Sequence, residues 1–376
     1  MPTPREQLTA VRTDIDAIDK KLITLLEQRM ICSEKIAGIK LSGNIAIMDE
    51  SRESEVLTRA KNNISAAFIA DSQTFMRGLI SLSRLRQARK ILPQQTVTFP
   101  KSSPAITDPK VGYQGVPGAW GQAAAKAMFN DAELTRFDYF EDIFTAISCG
   151  GLDYGVLPIE NNQSGAIGEV YDLLRRYGLF IVKQKWIEIA QCLLALPGTA
   201  LSDLREIYSH PEGFKQCFGF LKGKNLELTP TRNTAVAAEL VKDSGDKSKG
   251  AIASRTAAEE YGLEVLVPDI MDKKNNKTRF IVVAKSPEYD EASNIISISF
   301  ATAHKAGALS GVIECFALAD LSLTRIESRP AGTGSGYRFF VDIEGNITDP
   351  QTLAALQNAA GHCEYFEILG CYKEIV

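Results

Sequence analysis

Residues 8–39 read LTAVRTDIDAIDKKLITLLEQRMICSEKIAGI, and apolar residues recur in them at alternating steps of three and four. The positions of this seam are Leu8, Val11, Ile15, Ile18, Leu22, Leu25, Arg29, Cys32, Ile36 and Ile39. A repeat with this period predicts one long helix whose seam packs against other helices. Arg29 is the only seam position with a permanent charge, so the stretch indicates a helical bundle with a cation in its apolar face.

The charge of Arg29 requires an explanation, because an unpaired guanidinium in an apolar seam is costly and therefore needs an anion. No Asp or Glu occupies a seam position. The anion must then come from another segment of the chain or from a bound ligand. The seam by itself leaves a structural ion pair and a ligand site both open.

The first 92 residues are expected to be all helical. The long helix should run from about residue 5 to about residue 40 and end at Ser42-Gly43-Asn44. A second helix is predicted over 49–61 and a third over 66–91. One side of the third helix is formed by Phe68, Phe75, Leu79, Leu82 and Leu85. A helix of about 36 residues is roughly 54 Å long, and two shorter helices cannot cover its seam. The pattern therefore predicts a homodimer in which a second copy covers the rest.

Charge is distributed unevenly along the 376 residues. Residues 1–90 hold 15 Lys and Arg against 11 Asp and Glu, whereas the whole chain holds 42 against 46. A mildly basic first segment suits small anions, but it lacks the dense basic stripe of a nucleic-acid-binding protein. No apolar run reaches 18 residues and no apolar signal sequence opens the chain, so we expect a soluble cytoplasmic protein without membrane association.

Cysteine and histidine usage bears on metals and cofactors. The seven cysteines contain no CxxC pair, which argues against a disulfide framework and against a structural zinc site. The three histidines, at 210, 304 and 362, are too dispersed to suggest a metal site, and no phosphate-binding glycine loop is present. The sequence therefore predicts chemistry that uses neither a metal nor another cofactor.

Three further segments follow the helical one. Residues 93–109 contain four prolines among Gln, Thr and Ser and are expected to be a linker. Residues 110–285 alternate short apolar strands with helices, which predicts an α/β domain with a mostly parallel sheet and two lobes around a cleft. Residues 294–376 follow the order strand, helix, strand, strand, helix, strand, which is the α+β ferredoxin-like unit.

Six further polar residues of the helical segment are candidates to join Arg29 around an anion. They are Arg12, Lys40, Asp49, Arg52, Ser83 and Gln87. The first two directly follow seam positions, and the other four form pairs three or four residues apart, so each pair shares one helix face. Each residue alone is typical of a solvated surface. Together they predict a cationic pocket inside a helical bundle.

These residues resemble the signature of the all-helical chorismate mutase family over roughly the first 90 residues. The resemblance implies that Arg29, with Arg12 from the partner subunit, binds the carboxylates of chorismate. It implies that Lys40 and Gln87 donate to the breaking ether oxygen. The residues implied to orient the substrate are Asp49, Arg52 and Ser83. The pericyclic rearrangement to prephenate needs no nucleophile, so positioning and electrostatic stabilisation are the means of catalysis.

Residues 109–285 resemble the prephenate dehydratase family in several motifs that occur in the family's order. The motifs are Gly115-Val-Pro-Gly118, Pro158-Ile-Glu-Asn-Asn-Gln-Ser-Gly165, Tyr208-Ser-His-Pro211, Gln216-Cys217 and Thr278-Arg-Phe280. The resemblance implies decarboxylation and dehydration of prephenate to phenylpyruvate, with Thr278 as first candidate to hydrogen-bond or protonate the leaving hydroxyl. The further candidates are Asn161, Ser209, Gln216, Phe280, Arg279 as a carboxylate ligand and Glu160 as an acid. His210 is either catalytic or part of a structural turn.

The C-terminal strings Gly307-Ala-Leu309 and Glu327-Ser-Arg-Pro330 resemble the ACT regulatory domain. In that family they contribute to a site for L-phenylalanine, which implies an effector site. Its residues would be Gly307, Ala308, Leu309, Glu327, Ser328, Arg329 and Pro330. The whole chain thus resembles the bifunctional chorismate mutase–prephenate dehydratase family. The resemblance implies a multidomain isomerase and lyase of phenylalanine biosynthesis under feedback control, assembled as a homodimer or tetramer, with a periplasmic-binding-protein-like dehydratase domain.

The chain departs from the dehydratase pattern at two places. At Ala119-Trp120-Gly121 the family usually has an aromatic residue between two hydroxyl residues, and at Asn162, directly after Glu160-Asn161, it usually has Ser or Thr. Both changes remove hydroxyls from expected substrate loops and leave arogenate open as an alternative to prephenate. A second alternative is a non-catalytic amino-acid-responsive binding protein. The intact candidate residues, and the lack of a signal peptide that an exported receptor would need, favour the enzyme.

Overall fold

The computed structural model describes residues 3–43, 45–91, 99–130, 132–330 and 336–375. It divides into two compact units, one made of residues 1–99 and 299–367 and the other of residues 100–298 and 368–376. Part of the linker predicted over 93–109, namely 93–98, falls outside the described residues, as does Asn44 of the predicted helix break. Among the described residues, none of the helices has the length and apolarity that a membrane span requires.

The helices and strands are numbered in chain order. The helices are α1 (Pro4–Ser42), α2 (Glu50–Asn62), α3 (Ile69–Ile91), α4 (Trp120–Met128), α5 (Phe140–Ser148), α6 (Gly168–Tyr177), α7 (Pro211–Gln216), α8 (Phe218–Leu221), α9 (Thr234–Ser244), α10 (Arg255–Tyr261), α11 (Ala308–Ala317) and α12 (Pro350–Ala360). The strands are β1 (Lys110–Gln114), β2 (Glu133–Phe137), β3 (Tyr154–Asn161), β4 (Gly165–Ala166), β5 (Phe180–Glu188), β6 (Cys192–Ala195), β7 (Glu206–Ser209), β8 (Glu227–Pro230), β9 (Lys249–Ala253), β10 (Glu264–Val267), β11 (Lys277–Ala284), β12 (Ile295–Ala301), β13 (Leu323–Pro330), β14 (Tyr337–Glu344) and β15 (Tyr365–Glu374).

The three predicted helices of the first segment are present. A capping box begins α1: the hydroxyl of Thr3 accepts from the backbone N–H of Glu6 at 3.3 Å, and the Glu6 carboxylate accepts from the N–H of Thr3 at 2.7 Å. The helix ends at Gly43, whose N–H donates to the carbonyl of Ile39 at 3.0 Å. Asp49 caps α2 by accepting from the N–H of Arg52 at 2.9 Å. Both α1 and α2 pack against α3.

Most of the α1 seam is uncovered in the single chain. Six seam residues in a little more than the first half of α1 have exposed fractions of 44–59%. They are Leu8, Val11, Ile15, Ile18, Leu22 and Leu25. Only Ser33 and Ala37 of α1 are buried among the described residues, near the end that α3 covers. The seam therefore forms a long exposed apolar stripe.

The buried face of α3 differs from the predicted apolar side. Leu85 is buried, but Phe68 and Phe75 are 58% and 54% exposed. Phe68 lies in a separate 3-10 turn, Ala66–Phe68, so it does not continue the helical phase of α3. The buried face instead includes Ser81, Ser83, Arg84 and Gln87, because α3 packs against α11 and α12 as well as against α1 and α2.

The C-terminal module has the predicted order β12, α11, β13, β14, α12, β15, and its strand order is β13–β14–β12–β15. Strands β13 and β14 are antiparallel, with Glu327 opposite Phe340. The two helices pack on each other, and Phe300, Val312, Phe316 and Leu356 are fully buried. The unit boundaries fall within β12 and β15. This arrangement confirms the βαββαβ order read from the sequence.

The second unit contains two sheets, one for each predicted lobe. The first has the order β15–β5–β11–β3–β1–β2, with β4 beside β3, and the second has the order β10–β6–β9–β7–β8. Separate apolar clusters around Val156 and Phe280, and around Leu194 and Ala238, form cores of the two lobes. The two-lobed α/β architecture is therefore present.

The expectation of a mostly parallel sheet is wrong. Strands β1, β2 and β3 are parallel, but β11 is antiparallel to both β3 and β5. In the second lobe β7, β8 and β9 are parallel, whereas β6 is antiparallel to β9 and β10. The chain returns to the first lobe as β11 only after completing the second, and it inserts there in the reverse direction. Both sheets are therefore mixed.

Gly121 marks the closest approach of α4 to β1. A Cβ at Gly121 would lie 2.5 Å from the carbonyl oxygen of Gln114, so the backbone of one element would have to move. We expect Gly121→Ala to destabilise the protein by ~1–3 kcal/mol, measured in urea or thermal unfolding, although alanine is normally the better helix residue. The matched control is Gly151→Ala, whose Cβ would have its nearest neighbour at 3.5 Å. Equal stability of the two variants would contradict this account of the packing.

Candidate active sites

A cavity with a volume of about 650 Å³ lies among α1, α2 and α3. Six of the seven predicted mutase residues line it: Arg29, Lys40, Asp49, Arg52, Ser83 and Gln87. Its other polar and charged lining residues are Cys32, Ser33, Glu53, Arg59, Asn63 and Arg84. Arg29, Ser33 and Lys40 come from the part of α1 that contacts α3, whereas the seam residues Cys32, Ile36 and Ile39 in the same part of the helix are exposed.

Arg29 is half-buried and is held by α3 through neutral acceptors. Its Nη1 donates to the carbonyl of Leu79 at 2.8 Å and to the hydroxyl of Ser83, which itself donates to Leu79 at 2.7 Å. Burial lowers the pKa of Arg29. No carboxylate within the described ranges forms an ion pair with it. The guanidinium is therefore fixed in position while its charge stays unneutralised.

Lys40 and Arg52 add two further cations to the cavity lining. The Nζ of Lys40 donates to the carbonyl of Ile47, and burial lowers its pKa against the opposing influence of Asp49 and Glu53. Arg52 is exposed and donates to Glu55 at 2.8 Å. The carboxylate of Asp49 is engaged in capping α2, so it orders the helix that carries Arg52.

Gln87 is buried at the cavity wall, one helical turn beyond Ser83. Its Oε1 has no hydrogen-bond partner in the described parts of the chain. A buried amide oxygen without a partner is costly, so a hydrogen-bond donor that enters the cavity, such as a hydroxyl group, is a natural partner for this atom.

Arg12 is the one predicted mutase residue that the structure does not bring to this cavity. It is exposed on α1, 17 residues before Arg29, which corresponds to about 25 Å along a helix. The cavity of a single chain therefore lacks it.

Glu53 and Arg84 also line the cavity, and neither was predicted as a site residue. The Nε of Arg84 donates to Oε1 of Glu53 at 2.7 Å, and Nη2 contacts the other carboxylate oxygen. Glu53 lies four residues after Asp49, on the same face of α2, so helical spacing contained a signal for it. Arg84 is in the pocket only because of the way the three helices pack.

The cavity favours anions. Its lining holds the cations Arg29, Lys40, Arg52, Arg59 and Arg84 against the carboxylates Asp49 and Glu53. This excess of fixed positive charge in a partly desolvated space suits a small molecule with two negative charges.

A second cavity of about 280 Å³ lies between the two lobes of the second unit. Four predicted dehydratase residues line it: Asn161, Gln216, Thr278 and Phe280. Other lining residues include Gln114, Trp120, Ser164, Gln191, His210, Glu212, Arg232, Asn233 and Thr234.

The pairing of β3 with β11 sets Asn161 beside Thr278. The Nδ2 of Asn161 donates to Oγ1 of Thr278 at 3.0 Å, and its Oδ1 accepts from the backbone N–H of Gln163 and Ser164 at 2.9 and 3.0 Å. Because the Thr278 oxygen already accepts this bond, its hydroxyl proton is available to donate to a molecule in the cavity.

Helices α4, α6 and α9 begin at this cavity, as does the short α7 behind its cap His210. Trp120 opens α4, Ile167 precedes α6, and Thr234 opens α9 behind its cap Asn233, and all four residues line the space. Helix N-termini carry partial positive charge and free N–H groups, so they favour carboxylates.

The structure does not bring Glu160, Arg279 or Ser209 to the cavity lining. Arg279 follows Thr278 on the strand and therefore points to the other face. There it lies 3.4 Å from Glu160 and donates to Gln184 at 3.1 Å. Ser209 is fully buried and donates to the carbonyl of Ile252 at 2.9 Å. These contacts connect strands rather than reach the cleft.

Trp120 and Gln191 were not predicted as site residues. In the described chain, Nε1 of Trp120 and Oε1 of Gln191 are buried without a hydrogen-bond partner, and both residues line the cavity. His210 caps α7, its Nδ1 accepting from the N–H of Glu212 at 3.1 Å, and burial lowers its pKa. Its neutral ring therefore carries the proton on Nε2. The only signal for Trp120 in the sequence was that it lies in a triplet that departs from the pattern of the dehydratase family.

The predicted effector strings lie in the C-terminal module. Gly307 precedes α11 with a left-handed φ of 81°, and Ala308 and Leu309 form its first turn. Glu327, Ser328, Arg329 and Pro330 end β13. Glu327 lies 3.8 Å from Arg325 on the same face of the strand.

Two segments of the chain match known protein families. Residues 11–88 match the family model for chorismate mutase type II, and residues 111–288 match that for prephenate dehydratase. A bifunctional chorismate mutase/prephenate dehydratase of Enterobacter agglomerans is 31% identical and covers 98% of this chain and 96% of its own length. Arogenate dehydratase/prephenate dehydratase 1 of Arabidopsis thaliana is 35% identical, covering 70% of this chain and 71% of the relative.

Solved structures resemble the dehydratase part. A prephenate dehydratase from Arthrobacter aurescens in complex with L-Phe is 27% identical, with a TM-score of 0.65, over 70% of this chain and 89% of that one. GqqA, described as a quorum-quenching acylase, is 31% identical with a TM-score of 0.65, over 71% of this chain and 98% of its own.

Proposed function

The chain belongs to the bifunctional chorismate mutase/prephenate dehydratase family, and from that premise we propose which residues perform its two reactions. It rearranges chorismate to prephenate and then converts prephenate to phenylpyruvate in phenylalanine biosynthesis. We assign the first reaction to residues 1–92 and the second to residues 110–285. The observation that carries the first assignment is Arg29, a fixed guanidinium without a carboxylate partner in the described chain.

Chorismate is a dianion that rearranges without proton transfer, so the site has to hold the reactive conformer and stabilise charge on the breaking ether oxygen. Arg29 binds a substrate carboxylate in this proposal. Lys40 on α1 and the amide NH2 group of Gln87 on α3 donate to the ether oxygen. Arg52, Asp49 and Ser83 orient the substrate, the last by holding Arg29 in place.

Replacement of Arg29 by Ala should remove most mutase activity. Loss of one partner of a buried charge pair costs ~2–5 kcal/mol, or roughly thirty- to several-thousand-fold in kcat/KM for chorismate. Steady-state assays with chorismate, and separately with supplied prephenate, measure both reactions. Dehydratase activity should persist. The matched control is Arg77→Ala, an exposed arginine of the same helical segment outside the cavity. Unfolding of the variant, or a wild-type enzyme that leaves chorismate unconsumed, would contradict the assignment.

The exposed stripe on α1 is proposed to be the interface of a homodimer. Its residues keep the heptad period over more than half of the helix, as a helix-to-helix interface requires. Arg12 lies on this stretch, too far from Arg29 to share its cavity within one chain. A second copy that covers the stripe would bring its Arg12 to the neighbouring cavity and supply the second cation for the dicarboxylate.

A charge in the stripe should therefore affect assembly and the mutase together. Leu22→Glu is expected to convert the dimer to monomers in sedimentation velocity and to lower kcat/KM for chorismate strongly, since a carboxylate would be buried in an apolar seam. Lys20→Glu, on the opposite side of α1, is the matched control and should leave both unchanged. If the Leu22→Glu protein sediments with the same assembly mass as the wild type, this interface is ruled out.

In the second cavity we propose that Thr278 hydrogen-bonds or protonates the leaving hydroxyl of prephenate. The carboxylate on the ring of prephenate departs as carbon dioxide in the same reaction. Asn161 fixes the direction of the Thr278 hydroxyl. The N-termini of α4, α6 and α9 favour the substrate carboxylates. Gln216, Phe280 and the Nε2–H of His210 complete the polar and aromatic contacts. We propose structural roles for Glu160, Arg279 and Ser209.

Prephenate rather than arogenate is the proposed substrate. The mutase of the same chain produces prephenate. Trp120 adds a physical argument, because its buried indole N–H can donate to the keto oxygen of prephenate but not to the ammonium of arogenate.

Replacement of Thr278 by Val should lower the dehydratase kcat by ~10²–10⁴, the usual contribution of a general acid. Valine keeps the shape and removes the hydroxyl, whereas Thr278→Ser should retain most of the rate. Phenylpyruvate formation from prephenate is the measurement, and chorismate consumption should not change. Thr199→Val, a buried threonine whose hydroxyl has no partner in the described chain, is the control. A fully active Thr278→Val enzyme would exclude the threonine as the donor.

We propose that residues 294–376 form an ACT domain through which L-phenylalanine inhibits the enzyme. The βαββαβ order of the module and the L-Phe complex of the Arthrobacter aurescens relative support this assignment. The proposed effector residues are those of the two strings at the start of α11 and the end of β13.

A further inference from the structure

We propose that Arg84 is a positioning residue of the mutase site and that His362 of the C-terminal module holds it in place. The inference rests on the mutase function proposed for the helical cavity. Arg84 and His362 are 278 residues apart in sequence, and both belong to the same compact unit.

The helix α3 presents two different faces. Met76, Ile80, Ser83 and Gln87 recur at helical spacing and line the mutase cavity. Ser81, Leu85 and Ala88 are buried on another face, where α3 packs on α11 and α12. At about 100° per residue, Arg84 lies between the two faces. It is therefore the residue of α3 that can reach the cavity and the C-terminal module at once.

On the cavity side, Arg84 binds Glu53. The guanidinium contacts both oxygens of the carboxylate, and the two side chains are only 9% and 21% exposed. A two-point contact of this kind fixes both the position and the orientation of the carboxylate. Arg84 therefore neutralises the charge of Glu53 and holds its carboxylate at one place in the cavity lining.

On the module side, Nη1 of Arg84 contacts Nε2 of His362. Arginine has no acceptor, so Nε2 of His362 must accept and the imidazole must be neutral. Burial, followed by the charge of Arg84, lowers the pKa of His362 to about 4, against the opposing influence of Glu53, and the nearby charge of Lys305 acts with Arg84. The ring therefore remains an acceptor at neutral pH.

The position of His362 is itself fixed. A Cβ at Gly311 of α11 would lie 3.1 Å from Nδ1 of His362, so the glycine leaves room for the ring. Three residues before Arg84, Ser81 donates to Glu314 of α11 at 3.1 Å. These contacts place His362 so that it restrains Arg84 from the side opposite Glu53.

The consequence concerns substrate binding more than chemistry. Without His362, Arg84 loses one of its restraints and Glu53 becomes less well neutralised beside the dianion. The ether-oxygen donors Lys40 and Gln87 are untouched. Removal of His362 should therefore raise KM for chorismate and leave kcat nearly unchanged.

The test compares His362→Ala, His362→Gln and the control His304→Ala in the full-length protein. His304 is an exposed histidine of the same module. We expect His362→Ala to raise the mutase KM roughly two- to tenfold, the size of one net hydrogen bond, with kcat and the kinetics on prephenate unchanged. His362→Gln supplies an acceptor oxygen and should restore the KM. His304→Ala should match the wild type.

A double-mutant cycle of Arg84→Met and His362→Ala provides a readout that does not depend on catalysis. The shifts in the unfolding midpoint should be non-additive if the two side chains interact. Additive shifts in the unfolding midpoint would overturn the proposal, and so would an unchanged mutase KM in His362→Ala. It would also be overturned if His362→Ala lost mutase and dehydratase activity equally and His362→Gln did not restore them. If the wild type does not consume chorismate, the proposed function fails, while the cycle still decides whether the contact exists.

Discussion

The helical part of the protein depends on the way a guanidinium is held inside an apolar bundle. Arg29 is bound by the carbonyl of Leu79 and the hydroxyl of Ser83, which are neutral acceptors. They lower the cost of desolvation without cancelling the charge. A carboxylate in the same place would have stabilised the bundle but consumed the charge. Because these acceptors are neutral, α3 has two functions. It packs against α1, and it keeps the charge of Arg29 available to a ligand.

In the dehydratase part, the register between two strands determines which side chains point into the cleft. The pairing of β3 with β11 sets Asn161 beside Thr278 on the cleft side. The next residues along each strand, Glu160 and Arg279, point to the other face and pair with each other there. A shift of one residue in this register would exchange the two faces. The ion pair on the far side thus helps to specify which residues face the cleft.

Local periodicity predicted much of the fold. The helices of the first segment and the βαββαβ module follow from apolar spacing and turn residues, and both have close to the expected bounds. The direction of β11 could not be predicted, because it depends on where the chain re-enters a sheet about ninety residues after β5. Glu53 and Arg84 were missed because their place in the cavity results from the packing of α2 on α3. The placement of Arg279 was predictable in principle, since strand alternation puts it opposite Thr278.

The exposed stripe of α1 has a consequence for genetics, because it bears on whether two different chains together form each mutase site. If each copy lends Arg12 to its neighbour, no mutase site is the property of one polypeptide. A chain with a defective Arg12 and a chain with a defective Arg29 would each be inactive in pure form. Mixed in one dimer, they would leave one cavity with both defects and one with neither. Two damaged alleles could then complement each other, whereas lesions of Thr278 and Asn161 on separate chains could not.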